Sequence, residues 1–271
     1  MPELPEVETT RAGIAPHLTG RTVPHVIVRN PALRWPIPDA LGRELPGRRI
    51  ESVSRRAKYL LIKAGDAHLM LHLGMSGRLH VLDQNSAAGK HDHIDILLDD
   101  DQLLRLHDPR RFGAALWFGG DPAEHELIRH LGPEPLSDDF SAEHLFRQSR
   151  KRKAAVKNFL MDGRLVVGVG NIYASESLFL AGIRPGRAAG RVSMPEYTRL
   201  QQAVVKVLNE AIAAGGTTLR DFKSADGQPG YFQQNLNVYG REHQPCKVCA
   251  MSIRRKVIGQ RSSYYCPQCQ Q

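Results

Sequence analysis

The sequence predicts an α+β protein: an antiparallel β-sandwich domain, then a helical domain, then a small C-terminal module. Three observations carry this. Short apolar or alternating runs fill the first 120 residues, helical periodicity begins after a loop at Gly132–Asp139, and all four cysteines lie between Cys246 and Cys269.

Taken in order, the first element is a helix starting near Pro5. Proline suits the first helical turn, and Glu6 and Glu8 lie beside the positive end of the dipole. Strand-like runs follow at Thr22–Val28, Tyr59–Ile62, His68–Leu73, Arg78–Leu82, Ile94–Leu98, Leu103–Leu106 and Ala114–Phe118, separated by Gly, Asp, Asn and Pro. Some seven strands in this rhythm point to a sandwich. Helices are expected at Ser141–Ser149, Ala154–Met161, Ile172–Ala181 and Pro195–Ala213. The last places Leu200, Val204, Val207, Leu208 and Ile212 on one stripe. Lys223–Tyr231, with Gly227, Pro229 and Gly230, reads as a mobile loop. The expected domains are residues 1–131, 132–236 and 237–271.

No apolar run is long enough for a transmembrane helix. The opening MPELPEVE carries carboxylates where a signal peptide needs positive charge, so a cytoplasmic location is expected. Thirty-seven Lys and Arg against 28 Asp and Glu leave a net charge of +9, which suits a polyanionic partner. The charge is grouped: Arg147–Lys157 holds basic residues and no acid, and in the segment from Asn237 onward only Glu242 opposes the basic residues. Two separate patches suggest a groove with two walls.

The cysteines form two CxxC knuckles, Cys246/Cys249 and Cys266/Cys269, the pattern of a tetrahedral structural Zn(II) site with no position left open for catalysis. Two disulfides are the alternative, which the absence of a secretory signal disfavours. Arg254, Arg255, Lys256 and Arg261 lie between the knuckles, either as a solvated hairpin or as a phosphate-binding finger.

Removal of Met1 would leave Pro2 with a secondary α-amine, partly neutral near physiological pH. Such an amine can attack a sugar C1′ and form a cationic iminium, an electron sink that acidifies C2′ and promotes elimination of the 3′ phosphate. Glu3 and Glu6 lie within one turn, suited to proton transfer and to holding the amine in place. From composition alone, a helix entry with favourable acidic residues explains the same pattern.

Several blocks then carry a resemblance: PELPEVET (2–9), RRAKYLL (55–61), LHLGMSG (71–77), KHDHID (90–95), DPRRFGA (108–114), LGPEPL (131–136), VVGVGNIYASE (166–176), GGTTLRDF (215–222) and the closing YYCPQCQ. Together they resemble the bacterial formamidopyrimidine-DNA glycosylases over essentially the whole chain. The resemblance implies a β-sandwich, a helix–two-turn–helix domain and a β-hairpin zinc ribbon, with DNA in the cleft between domains. It implies excision of oxidised purines from duplex DNA (8-oxoguanine and formamidopyrimidines), followed by β,δ-elimination at the abasic site. It also implies one structural zinc per chain, no organic cofactor, damaged double-stranded DNA as partner, no membrane, and a monomer at the nucleoid.

Residue by residue, Pro2 is similar to the family's Schiff-base nucleophile, Glu3 to its general acid, Lys58 to a lysine assisting β-elimination, and Arg261 to an arginine linked to δ-elimination. Met75, Arg110 and Phe112 resemble a wedge filling the space of an extruded base, whose unstacking costs a few kcal/mol. His72, His91, Lys153, Lys157 and Asn171 match DNA-binding positions, while Glu6 and Glu176 match supporting ones. Asn171, after Gly168-Val169-Gly170 and before a helix, also reads as an N-cap. His91-Asp92-His93 lacks the partner motif of a metal site. Thr217–Tyr231 resembles a segment covering the extruded base. Two rivals stand beside this reading: the sister activity on oxidised pyrimidines, and a non-enzymatic zinc-ribbon DNA-binding protein.

Overall fold

The computed structural model describes residues 2–215 and 236–271. The loop read at Lys223–Tyr231 and the covering segment at Thr217–Tyr231 lie outside the described residues. The chain divides into two compact units, one containing residues 1–129, the other containing His130–Ala211 and the C-terminal module.

In the first unit, α1 (Leu4–Leu18) opens with Glu3 as N-cap and Pro5 in its first turn, and Glu3 and Glu6 form a reciprocal capping box. Two four-stranded antiparallel sheets follow. One has the order β2-β3-β4-β8, from β2 (Ser52–Arg56), β3 (Tyr59–Ala64), β4 (Ala67–His72) and β8 (Ala114–Gly119). The other has the order β1-β6-β7-β5, from β1 (Val26–Val28), β6 (Asp92–Leu97), β7 (Gln102–His107) and β5 (Arg78–Asp83). Leu60, Ile62, Leu69 and Leu71 of the first sheet share one core with Ile94, Ile96, Leu104 and Leu106 of the second, and α1 adds Val7, Ile14 and Leu18. This is the expected sandwich.

A strand and a short α-helix of this unit escaped the sequence reading. Strand β2 buries Val53 among Ser52, Ser54, Arg55 and Arg56, too few apolar residues to register as alternation. Helix α2 (Asp39–Glu44) is under two turns long, and Leu41 is its one buried residue. The first strand is also shorter than expected. Thr22 makes an isolated bridge to Arg49, and Pro24, lacking an N–H, interrupts the run.

In the second unit, α3 (Ala142–Ser149) is capped by the Ser141 hydroxyl, which accepts from the His144 amide at 3.0 Å. Helix α4 (Val156–Leu160) starts later than its apolar pattern suggested because Ala155 is extended (ψ 138°) and bridges to Ala188. Helices α5 (Asn171–Leu180) and α6 (Met194–Gly215) match expectation to within two residues. Tyr197, Leu200, Val204 and Leu208 of α6 are fully buried, and the Tyr197 ring meets Phe159 edge-on at 6.1 Å.

The C-terminal module is an antiparallel hairpin, β9 (Arg254–Ile258) and β10 (Arg261–Tyr265), flanked by the two knuckles. Its small core joins Val238, Ile253, Cys246 and Cys266 to Phe179 of α5. The chain end reinforces this. The Gln270 amide donates to the Ile183 carbonyl at 2.8 Å while its oxygen accepts from the Cys266 amide at 2.8 Å.

Candidate functional site

Pro2 is half-buried immediately ahead of α1, and Glu3 is buried, with 2% of its surface exposed. The Glu6 carboxylate accepts from the Glu3 amide at 2.8 Å, so it fixes the backbone next to Pro2. The helix-entry reading therefore holds as geometry.

Lys58 occupies the two-residue turn between β2 and β3, since Arg56 pairs with Tyr59. Ala57 in that turn has φ +55°, a left-handed conformation that a residue with a Cβ adopts rarely. Arg55 holds the turn through the Ala57 carbonyl at 2.8 Å and ties the hairpin to α1 through Glu8 at 3.0 Å.

His72 ends β4 opposite Tyr59, with ring centroids 5.1 Å apart. Its Nδ1 accepts from the Gly74 amide at 3.0 Å. Burial, helped by the charges of Lys58 and Arg34, lowers its pKa to about 4, so the ring is neutral near pH 7. Lys58, Arg34 and His72 thus share one region of field beside the β2–β3 turn.

The three residues that the resemblance reads as a wedge, Met75, Arg110 and Phe112, lie on two loops that meet. Met75 and Phe112 are 42% and 46% exposed, and the Arg110 guanidinium lies 4.8 Å from the Phe112 ring centre. Gly74, at φ +61°, lets the two loops touch, because a Cβ there would fall closer than 3.0 Å to the Phe112–Gly113 backbone.

Asp108, at the head of the DPRRFGA block, joins them further. The fully buried Asp108 carboxylate accepts from the Ser76 hydroxyl at 2.6 Å, the Gly113 amide at 2.8 Å and the Arg110 amide at 3.3 Å. An Asp at a strand end followed by Pro109 was the available signal, but its partners lie up to 32 positions away.

His91 packs edge-on to His107, which pairs with Asp92 at 2.7 Å, and the His93 Nε2–H donates to the Asp108 carbonyl at 2.7 Å. These partners account for the His-Asp-His run without a metal.

In the second unit, Arg147, Lys151, Arg152 and Lys153 are exposed. Arg150 is half-buried over the Phe146 ring at 3.8 Å, and Lys157 has no exposed surface. Asn171, the first residue of α5, donates through Nδ2 to the Ser262 carbonyl at 3.1 Å and the Tyr239 hydroxyl at 3.4 Å. Its buried Oδ1 has no hydrogen-bond partner among the described residues. Glu176 is buried and accepts from the amides of Asn237, Val238 and Tyr239 at 2.8–2.9 Å and from the Asn237 side chain at 3.0 Å. It anchors the start of the C-terminal module. Arg261 is exposed at the start of β10.

The four cysteine sulfurs lie within 4.8 Å of one another, with pairs at 3.4–3.9 Å. A ZnS4 tetrahedron with Zn–S near 2.3 Å has edges of about 3.8 Å, so the donor set fits zinc. Amides of Val248 and Cys269 point at the Cys246 and Cys266 sulfurs at 3.5 and 3.4 Å, suited to thiolates. This is the only such cluster among the described residues. No helix among them is long and apolar enough to cross a membrane.

Comparison with known proteins agrees with this geometry. The family described as "Formamidopyrimidine-DNA glycosylase N-terminal domain" matches residues 1–115, the glycosylase H2TH domain matches 131–223, and "Zinc finger found in FPG and IleRS" matches 244–271. Formamidopyrimidine-DNA glycosylases of Thioalkalivibrio sulfidiphilus and Pseudomonas putida are 58% and 59% identical, each covering 100% of both chains. The solved Thermus thermophilus protein is 40% identical with TM-score 0.85, covering 99% of this chain and 98% of its own. The Lactococcus lactis enzyme, solved with DNA containing Fapy-dG, is 31% identical with TM-score 0.90, covering 99% and 100%. Three matching domains in order and full-length identity well above half place this chain in the formamidopyrimidine-DNA glycosylase family.

Proposed function

We propose that the protein is a bifunctional base excision repair enzyme that removes oxidised purines from duplex DNA and cuts the strand at the abasic site. The observation that carries this is the N-terminal arrangement: Pro2 directly before a buried Glu3, its backbone held by Glu6, with the Lys58 turn tied to α1 by Arg55 and Glu8. Relatives solved with DNA containing an abasic site, Fapy-dG or carbocyclic 8-oxoguanine support the choice of substrate.

The wedge of Met75, Arg110 and Phe112 enters the duplex where the lesion is extruded. With Met1 removed, the Pro2 nitrogen bonds to C1′ as the C1′–base bond breaks, and Glu3 supplies a proton in base departure and ring opening. The resulting iminium acidifies C2′, a base takes that proton as the C3′–O bond to the 3′ phosphate breaks, and loss of the C4′ proton with cleavage of the C5′–O bond then releases the 5′ phosphate. Lys58 and Arg261 stabilise the departing phosphates. DNA contacts are assigned to His72, His91, Lys153 and Asn171, and a supporting role to Glu176. The cysteines Cys246, Cys249, Cys266 and Cys269 hold one zinc that shapes the finger.

We assign residues 1–131 to the catalytic domain, 132–236 to the helix–two-turn–helix domain and 237–271 to the finger. We place the protein in the cytoplasm, at the nucleoid, as a monomer. Borohydride trapping on a duplex with one 8-oxoguanine opposite cytosine, followed by mass mapping, tests the reading. An adduct at Pro2 is expected. Absence of an adduct there, with adducts on oxidised pyrimidines, would turn the assignment to the sister activity; none on either lesion, with tight binding, would leave a non-catalytic binder.

A further inference from the structure

Lys157 matched a DNA-binding position in the sequence, yet it is fully buried and directs its ammonium into the protein. The ammonium donates to the Ser262 carbonyl at 3.1 Å and the Ser263 hydroxyl at 2.7 Å. The Ser263 hydroxyl in turn donates to the Arg261 carbonyl at 3.3 Å. The Ser262 carbonyl also accepts from Asn171 at 3.1 Å.

Across the hairpin turn, Gly259 (φ +54°) lies so close to Asn158 that a Cβ would fall under 3.0 Å from its amide group. Consecutive residues of α4, Lys157 and Asn158, therefore grip both sides of the turn that presents Arg261. A buried ammonium is tolerated only when well hydrogen-bonded, and here the acceptors belong to the strand carrying the exposed arginine.

We infer that Lys157 is a positioning residue for Arg261, setting the finger strand from beneath, and that it makes no phosphate contact itself. The inference rests on the reading of Arg261 as the cation assisting the second elimination. It predicts that Lys157 governs how far the reaction runs, from β- to δ-product, through the backbone of residues 261–263.

The test uses the full-length zinc-loaded protein on a duplex with a preformed abasic site, scoring the ratio of β- to δ-elimination products. Affinity for a tetrahydrofuran-containing duplex is followed against salt. Lys157→Met should shift products toward β, as Arg261→Ala should, and should add no further shift in the Arg261→Ala background. Ser263→Ala, which keeps the lysine, should move the ratio the same way by less, and it carries the test if Lys157→Met folds poorly.

A further fall of about one unit in the salt slope on adding Lys157→Met to Arg261→Ala would overturn the inference, since it reports a lost phosphate contact. So would an unchanged product ratio in both Lys157→Met and Ser263→Ala, even with total activity reduced, which marks a purely structural role. An unchanged ratio in Arg261→Ala itself would remove the underlying reading of Arg261, and this inference with it.

Discussion

Gly74 and Phe112 lie backbone against backbone: a Cβ on Gly74 would fall closer than 3.0 Å to the carbonyl carbon and oxygen of Phe112. The exposed Met75 follows Gly74 directly, so this approach sets the spacing between Met75 and Phe112, the two exposed tips of the proposed wedge. The neighbouring Arg111 is itself left-handed at φ +57°, so strained backbone gathers where the wedge residues are presented.

Gly74→Ala should therefore both strain the backbone at φ +61° and push the Phe112 loop away. A stability loss of about 1–3 kcal/mol is expected, with a drop in lesion excision of tenfold or more. Denaturant melts and single-turnover excision assays check this. Wild-type excision with wild-type stability would show that the loops tolerate separation.

Asp108→Asn replaces a carboxylate accepting three hydrogen bonds with an amide that must direct a donor toward another donor. A loss of about 1–3 kcal/mol is expected, together with weaker excision, because the Ser76 and Gly113 sides of the wedge lose their common anchor. Ser76→Ala, which removes one of those donors, should lose less on both counts in the same assays.

The pH dependence of stability should carry a histidine component. The His72 pKa falls from its usual 6.5 to about 4 in the fold, so the folded state excludes a proton that the unfolded chain binds. The contribution is complete above pH 6.5 and is lost as pH falls from 6.5 to 4, at no more than about 1.4 kcal/mol per pH unit. His72→Asn keeps an acceptor near the Gly74 amide but cannot titrate in this window. Its denaturant midpoint should fall less between pH 7 and pH 5 than the wild-type midpoint does.

Chelating the metal should unfold the C-terminal module, because a structural zinc contributes about 10–16 kcal/mol in small zinc domains. The module's core consists of Cys246, Cys266, Val238, Ile253 and Phe179, too little to persist alone. Duplex affinity should collapse while the sandwich retains its far-ultraviolet signature. Full-rate cutting by metal-free protein would contradict the role given to the finger.

Much of this was legible in the sequence for reasons of local chemistry. Apolar runs such as Tyr59–Ile62 and Ala114–Phe118 became strands because short continuous apolar runs report strands buried in a sheet, and the CxxC pairs were legible because each knuckle is a local turn. Strand β2 was missed because Arg55 and Arg56 disguise it, and the role of Asp108 was missed because Ser76 is remote in sequence.

The sequence by itself determined the family, the layered α+β plan and the metal ligands, because motifs and periodicity are local properties of the chain. Only the tertiary structure decided which charges face inward. Lys153 and Lys157 lie four positions apart in one basic run, yet Lys153 is exposed and Lys157 is enclosed by Ser262 and Ser263 from the far end of the chain. Burial depends on what packs over a residue, and that neighbour is set by folding, not by proximity in sequence.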